Sequence, residues 1–308
     1  YGHLAVAAFI VISGFCLQLS LYARGDGSIR DLRRFLLRRC ERILPPYYAC
    51  LALSLVVAFA VTRHQTGMPW EQYLPITWAN TMAHVFMVHN LDPGWMYKIN
   101  GVLWSIAIEF QLYFVFPLLV WAAIRWGGWA VVALLGLGCA AVLDAWPQTM
   151  KLYVWFVPLF AAGLASARLA FDARSWRPPV WSLFVGAAAL CAAANPFLGE
   201  PTVVVPDVLF GLGTALFLAA CSLAPRSIAA RVAGWGPLVV LGAFSYSLYL
   251  MHHPVLQVLY VSRPEAVFSP LRSFGYLWLV GLPVILIVCF GFYWVFERPF
   301  VGRKRSKR

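Results

Sequence analysis

The segment LWSIAIEFQLYF, residues 103–114, contains a glutamate within an otherwise apolar run. Ser105 and Tyr113 lie four residues before and after Glu109, so a helix presents all three side chains on one face. An ionised carboxylate in hydrocarbon costs on the order of 3 kcal/mol, and acidic residues kept there commonly mark functional sites. The face is suited to lining a polar cavity. A hydrogen bond between helices, or an ion pair with a buried Arg or Lys, is the structural alternative.

A second polar cluster lies in LGAFSYSLYLMHHPVL, residues 241–256. Its hydroxyl and imidazole groups recur at spacings of three and four residues, which puts them on overlapping faces of one helix. Such groups donate hydrogen bonds, relay protons or bind a sugar, whereas an aromatic belt at the membrane interface is the alternative. A helix that begins inside the cell brings His252 into the outer half of the bilayer, at a depth similar to that of Glu109. The members are Ser245, Tyr246, Tyr249, His252 and His253.

A third candidate is the arginine-rich segment RGDGSIRDLRRFLLRRCERILPPYY, residues 24–48. Arg39 and Arg42 are three residues apart, on one face of a short helix that Pro45 and Pro46 are expected to interrupt. The planar guanidinium suits bidentate binding of phosphate. Membrane orientation and anionic lipid headgroups are the alternative explanation for this charge. The arginines are Arg24, Arg30, Arg33, Arg34, Arg38, Arg39 and Arg42.

Composition predicts what positions these residues. The chain has 308 residues, of which 62% are hydrophobic and 12% charged, about half the charged fraction of a soluble domain. Apolar runs close to 20 residues long match the thickness of a bilayer. We therefore predict an all-α polytopic membrane bundle with about nine transmembrane helices. The predicted spans are 4–23, 43–62, 102–124, 128–144, 153–170, 180–195, 207–224, 236–261 and 275–297.

The net charge of +12 is explained by membrane topology and does not indicate a nucleic-acid partner. When the nine spans are threaded alternately, five of the 24 Lys and Arg residues fall on one side and the rest on the other. The richer side is predicted to be cytoplasmic, which places the C-terminus inside and Tyr1 outside. We therefore expect a further helix upstream of Tyr1. The five exceptions are Arg63, Lys98, Lys151, Arg263 and Arg272.

Other features narrow the possible chemistry. The stretch WANTMAHVFMVHN, residues 78–90, is too polar for a span and is expected to be a re-entrant or interfacial helix on the outer side. The seven cysteines show no CxxC spacing and indicate small apolar residues, with neither a disulfide framework nor a metal site. No Walker A, dinucleotide-binding, HExxH or GxSxG motif occurs. A permanently bound cofactor is therefore not expected.

Five segments, in this order, resemble the acyltransferase-3 family of membrane proteins, which O-acylate cell-surface sugars and other extracytoplasmic acceptors. They span most of the chain, and residues 1–308 are expected to form a single domain of this family that lacks its first helix. The segments are GHLAVAAFIVISGF (2–15), RRFLLRRCERILPPYY (33–48), LWSIAIEFQLYFVFP (103–117), LGAFSYSLYLMHHPV (241–255) and FYWVFERPF (292–300).

The resemblance implies ten helices with both ends in the cytoplasm, in a bacterial inner membrane. It also implies transfer of an acyl group, commonly acetyl, from cytoplasmic acyl-CoA to a hydroxyl of an extracytoplasmic acceptor such as a saccharide. Arg38, Arg39 and Arg42 are then expected to bind the donor. Glu109 and His252 are expected to support catalysis. The residues expected to bind the acceptor are Trp104, Ser105, Tyr113, Ser245, Tyr246 and Tyr249.

The sequence departs from the family pattern at two places. The family's first helix carries an Arg and, about ten residues later, the His regarded as the catalytic base, and no such helix precedes the GHLAV segment here. His3 stands where an aromatic residue is common, so it is not assigned as a catalyst, and Ala7 stands where many members have an acidic residue. We expect the 308-residue chain alone to be inactive or nearly so. Measurable acyl transfer that His252→Ala abolishes would contradict this.

Two other classes of function fit part of the pattern. A transporter or flippase would use the polar faces as a path for a polar or lipid-linked substrate. No pair of inverted repeats is visible, however, and the arginine cluster lies on one side only. An inactive family member acting as a scaffold is the third possibility. An upstream helix with the Arg and His would favour the enzyme.

Overall fold

The computed structural model describes residues 2–61, 73–172, 177–195, 202–264 and 269–301. Across these ranges the regular secondary structure is helical, which confirms the all-α prediction. Arg63 and the tail at 302–308, both used in the topology prediction, lie outside the described residues.

The α-helices vary from six to 29 residues in length. They are α1 Gly2–Tyr22, α2 Leu32–Ala60, α3 Trp78–Val85, α4 Leu103–Trp126, α5 Gly128–Ala145, α6 Phe156–Phe171, α7 Val180–Ala193, α8 Val204–Leu223, α9 Ile228–Ala233, α10 Gly236–Ala243, α11 Ser245–Val261, α12 Pro270–Tyr276 and α13 Leu282–Phe292. A π-helical turn, Leu277–Gly281, joins α12 to α13, and a second, Tyr293–Glu297, follows α13.

Six helices among the described residues are long and apolar enough to cross a bilayer. They are α1, α2, α4, α5, α8 and the continuous helix Pro270–Phe300. A seventh is obtained if α10 and α11 count as one bent span. The shorter apolar helices α6 and α7 coincide with the two remaining predicted spans. The polytopic architecture is confirmed, while the count of nine stays a prediction.

One local prediction was wrong. Pro45 and Pro46 do not interrupt a short helix, because α2 continues through both of them. Each proline removes one backbone donor, but the carbonyls left without it belong to the exposed residues Glu41 and Arg42, which water can reach. The predicted span 236–261 consists of two helices, α10 and α11, that meet at an angle of 71°.

The chain divides into two compact units, each built from two stretches of sequence. Unit 1 comprises residues 1–35 and 111–235, and unit 2 comprises residues 36–110 and 236–308. The prediction of one domain over residues 1–308 stays a prediction.

In unit 1, helix α1 packs against α6 and α8. Its backbone comes unusually close to that of α6. A Cβ added to Gly163 would lie 2.0 Å from the carbonyl oxygen of Val11, and a Cβ added to Gly14 would lie 2.2 Å from that of Phe160. Small residues of this kind let membrane helices associate without a hydrophobic driving force. The glycine in the family-like motif ISGF is therefore a packing residue.

We expect Gly163→Ala to destabilise the protein by about 3 kcal/mol, because the added methyl group meets main-chain atoms that no side-chain rotation can move aside. The free energy of unfolding in detergent, measured with a denaturant, tests this. Gly136→Ala on α5 is the matched control, since a Cβ there meets no atom within 4 Å and alanine is the better helix former. Equal stability of the two variants would contradict the close-packing explanation.

In unit 2, the segment that contains α3 folds against the side of α2. The Tyr47 hydroxyl donates to the carbonyl of His84 at 2.8 Å, and Tyr48 donates to that of Val85 at 2.8 Å. Tyr47 is only four residues from Ile43, where the predicted span begins. The last turn of α3 is therefore fixed against α2, and the expectation of a re-entrant or interfacial helix on the outer side stays a prediction.

Candidate functional site

The helix face predicted around Glu109 meets α11 in unit 2. The hydroxyls of Ser105 and Tyr249 are 2.6 Å apart, and Ser105 also lies 3.2 Å from the carbonyl of Val102. Because one hydroxyl carries a single proton, Ser105 donates to Val102 and accepts from Tyr249, or donates to Tyr249. Glu109 is 5% exposed and interacts electrostatically with Tyr249. The structure thus joins two features that the sequence placed 144 residues apart.

Side chains from outside α11 compensate for the proline within that helix. Pro254 has no amide hydrogen, so the carbonyl of Leu250, four residues earlier, lacks its helical donor. The Asn100 side chain donates to this oxygen at 3.3 Å, and the Cys50 thiol donates at 3.2 Å. Asn100 also donates to the Ser54 hydroxyl at 3.0 Å. Asn100 therefore links α2, α11 and the start of α4, although its sequence context gave no sign of this role.

The two neighbouring histidines of α11 have different surroundings. His252 Nδ1 lies 2.8 Å from the carbonyl of Tyr249 and 3.1 Å from that of Leu248. Carbonyls only accept, so Nδ1 carries the hydrogen and the neutral ring has its lone pair on Nε2. His253 Nε2 instead lies 3.1 Å from the hydroxyl of Tyr73. The geometry makes His252 a hydrogen-bond acceptor near Tyr249, with the two ring centroids 5.9 Å apart.

A buried carboxylate that sequence reasoning did not select lies nearer the predicted cytoplasmic end of unit 2. Glu297 is 2% exposed, and its Oε2 accepts hydrogen bonds from the Ser247 amide at 3.1 Å and hydroxyl at 2.5 Å. It also interacts electrostatically with Arg42. Next to it, the Tyr246 hydroxyl donates to the carbonyl of Ile43 at 3.1 Å. The closing ERPF motif was a signal that could have identified Glu297.

The other predicted site residues are distributed more widely. Trp104 is buried, and its ring lies edge-on to Tyr97. Ser245 is exposed at the start of α11 and donates to the carbonyl of Gly242, so it does not join the Tyr249 cluster. Tyr113 belongs to unit 1, where its hydroxyl is 3.5 Å from that of Ser13. Arg38 and Arg39 are half-buried on α2, and Arg42 is exposed.

Two histidines of the α3 segment stack face to face. The ring centroids of His84 and His89 are 3.7 Å apart with an interplanar angle of 9°, and both residues are fully buried. His84 Nδ1 donates to the carbonyl of Asn80 at 2.7 Å. Burial lowers the pKa of His84 to about 4. Burial, reinforced by the neighbouring His84, lowers the pKa of His89 to about 3. Both rings are therefore neutral at pH 7.

The buried, neutral histidine pair predicts that the protein becomes less stable as the pH is lowered. Above pH 6.5 neither state binds a proton at these rings, whereas below it the unfolded chain does and the folded chain does not. Each imidazole should cost about 2 kcal/mol between pH 7 and pH 5, given native pKa values near 4 and 3. Denaturant unfolding at both pH values measures the loss. His89→Phe keeps an aromatic ring without the ionisation, so an unchanged pH dependence in this variant would contradict the assignment.

The fold and this geometry define an integral-membrane protein with a buried cluster of hydroxyl, carboxylate and imidazole groups. A family model described as an acyltransferase domain matches residues 1–296, and the chain belongs to this family, acyltransferase-3. The resemblance found in the motifs is thereby confirmed. No solved structure matches the chain.

Curated relatives add detail. The chain is 24% identical to YrhL of Bacillus subtilis (strain 168) and 25% identical to the O-acetyltransferase OatA of Staphylococcus aureus (strain NCTC 8325 / PS 47), over 83% of its length in both cases. It is 24% identical over 86% of its length to the peptidoglycan O-acetyltransferase OatA of Listeria monocytogenes serovar 1/2a (strain ATCC BAA-679 / EGD-e). The matched regions are 44%, 46% and 47% of those proteins, so the chain spans less than half of each.

Proposed function

We propose that this domain transfers an acyl group, acetyl in the simplest case, from cytoplasmic acyl-CoA to a hydroxyl of a peptidoglycan saccharide on the outer side of the bacterial cytoplasmic membrane. The observation that carries the proposal is the contact between Ser105 and Tyr249 beside the buried Glu109 in unit 2. The choice of an acetyl group follows the names of the relatives from Staphylococcus and Listeria, which are O-acetyltransferases. The choice of peptidoglycan as acceptor follows the name of the Listeria relative.

The proposed acyl transfer involves attack on the donor, departure of the thiol and removal of a proton. The acceptor hydroxyl attacks the thioester carbonyl carbon, the bond to sulfur breaks, and the hydroxyl proton passes to a base. Hydroxyl donors stabilise the negative charge that develops on the carbonyl oxygen. We assign this role to Tyr249, whose hydroxyl proton is available when Ser105 donates to the Tyr249 oxygen. By the family resemblance, the principal base lies on a helix upstream of Tyr1. Glu109 and Nε2 of His252, the nitrogen that keeps the lone pair when Nδ1 donates to the Tyr249 carbonyl, support proton transfer.

The donor is assigned to the arginines of α2. Acyl-CoA carries phosphate groups, which guanidinium groups bind through paired charge-assisted hydrogen bonds. Glu297 interacts with Arg42 and is itself anchored by Ser247. We propose that Glu297 orients Arg42 towards the donor, as a positioning residue. These groups face the predicted cytoplasmic end, where acyl-CoA is available.

The test uses acetyl-CoA labelled in its acetyl group and membranes that contain the chain joined to the upstream helix implied by the resemblance. We expect label to appear as a base-labile ester on a peptidoglycan disaccharide supplied on the outer side. Membranes without the protein are the control. A transporter or flippase would move the saccharide without forming the ester. Saccharide movement with no labelled ester would therefore overturn the proposal in favour of transport.

A further inference from the structure

A second polar cluster lies in unit 1, where three helices begin. His3 is in the first turn of α1, Asp207 is in the first turn of α8, and Trp155 directly precedes α6. His3 Nδ1 is 2.6 Å from Asp207 Oδ1, and the Trp155 indole nitrogen donates to Asp207 Oδ2 at 3.1 Å. Asp207 has no exposed surface, whereas the His3 side chain is 24% exposed.

The chemistry of these groups determines where the hydrogens lie. An indole nitrogen only donates, and an ionised carboxylate only accepts. Both oxygens of Asp207 are therefore used as acceptors, and the hydrogen shared with His3 is on Nδ1. In the neutral ring the lone pair is then on Nε2, for which the described residues provide no partner. The cluster thus holds one imidazole with its acceptor nitrogen turned away from the carboxylate.

A purely structural link between the helices does not need this arrangement. Apolar side chains of similar size would join α1 to α8 without the cost of burying a carboxylate. The opposite ends of α1 and α6 are joined by a polar contact of the purely structural kind. There the Asp172 carboxylate pairs with Arg168 at 3.0 Å and accepts a hydrogen bond from Tyr22 at 3.4 Å. At the His3 end, two buried residues from two other elements instead serve to hold a single ring that remains partly accessible.

Metal binding does not explain the cluster. No group of three His, Cys, Asp or Glu side chains able to hold an ion occurs in the described part of the chain. A partly exposed imidazole acceptor suits a ligand that brings its own hydrogen-bond donor, such as a sugar hydroxyl. The starts of α1, α6 and α8 also share one side of the predicted topology, the outer side.

We propose that His3, held by Asp207 and Trp155, binds a hydroxyl of the acceptor saccharide through Nε2. The ligand class rests on the proposed function, whereas the oriented imidazole rests on the contacts of unit 1 alone. This assigns a binding role to a histidine that its sequence context had discounted. The buried carboxylate behind the ring is what the sequence could not show.

The experiment measures the reactivity of each histidine towards diethyl pyrocarbonate, which modifies accessible neutral imidazoles. The protein is held in lipid nanodiscs, modified sites are quantified by mass spectrometry, and the probe is a disaccharide of N-acetylglucosamine and N-acetylmuramic acid. We expect His3 to react readily and the fully buried His84 and His89 to react slowly. Disaccharide at ten times its Kd should slow the reaction of His3 about tenfold.

Variants separate binding from folding. Asp207→Asn removes the charge that orients the ring, so the disaccharide should no longer protect His3. Trp155→Phe tests the same support if the first variant fails to fold. Asp172→Asn is the matched control, since it removes a carboxylate from the other end of the same helices and should leave protection intact.

The two proposals fail in different ways. If labelled ester forms on the saccharide while His3 is modified equally fast with and without it, the inference is overturned and the proposed function stands. If neither ester nor protection is seen, both are overturned. Protection in Asp207→Asn equal to that of the unaltered chain would remove the role of the carboxylate.

Discussion

Glu109→Gln should lower kcat for acyl transfer by about two orders of magnitude or more, the range that a positioned acid–base group contributes. Glutamine keeps the shape of the side chain but loses the negative charge that acts on Tyr249. Transfer of label from acetyl-CoA to the saccharide, in the chain joined to the upstream helix, is the measurement. KM for the donor should change little, because the donor is assigned to α2.

Controls make this result specific. Glu41→Gln removes an equal charge from an exposed position on α2 and should leave kcat unchanged. Ser105→Ala and Tyr249→Phe should each slow the reaction, and the double variant should be less impaired than the product of the two, because their hydroxyls form one hydrogen bond. Full activity of Glu109→Gln would refute the site assignment, whereas loss of folded protein would indicate a structural carboxylate.

The second large effect is expected at the arginines of α2. Arg39→Ala and Arg42→Ala should each raise KM for acyl-CoA by about 10- to 100-fold, since a hydrogen bond to a charged group is worth about 1.5–3 kcal/mol. Lysine at either position should restore only part of the affinity, because it keeps the charge but lacks the planar fork. Initial rates at varied acetyl-CoA concentration provide the measurement.

Arg33→Ala is the matched control, because Arg33 is an exposed arginine of the same helix. If all three alanine variants raise KM equally, the effect is one of general surface charge, and strong dependence on salt should accompany it. If Arg39→Ala and Arg42→Ala leave KM unchanged, the donor does not bind there. Glu297→Gln should reproduce part of the Arg42→Ala effect if Glu297 positions that guanidinium.

Local spacing was sufficient to predict several features. Ser105 and Glu109 are four residues apart, and the 3.6-residue helical repeat places them on one face whatever else the chain does. Apolar runs of bilayer length predicted the helices that could cross a membrane. Tyr249 was selected as a candidate from its own helix, but its contact with Ser105 joins residues 144 positions apart and is not visible in any local pattern.

Local pattern failed where distant groups compensate for a cost. Prolines at 45 and 46 predicted a helix break, yet α2 continues because the freed carbonyls are at exposed positions. Pro254 remains within α11 while Asn100 and Cys50 satisfy the carbonyl that it frees. Ser245 shared a predicted face with Tyr249, but as the first residue of α11 it is exposed and donates to the carbonyl of Gly242.

By itself the sequence determined the chain's class: an all-helical membrane protein of the acyltransferase-3 family, with Glu109 on a polar face. Hydropathy, helical period and motif order are properties of the sequence itself. Each can be identified without knowing which residues come into contact in the folded protein. Only the tertiary structure decided which buried carboxylate is hydrogen-bonded to which side chain, as with Glu297 and Ser247, and with Asp207 and His3. A buried charge is tolerated only where other elements supply its hydrogen bonds, and those elements are brought together by folding.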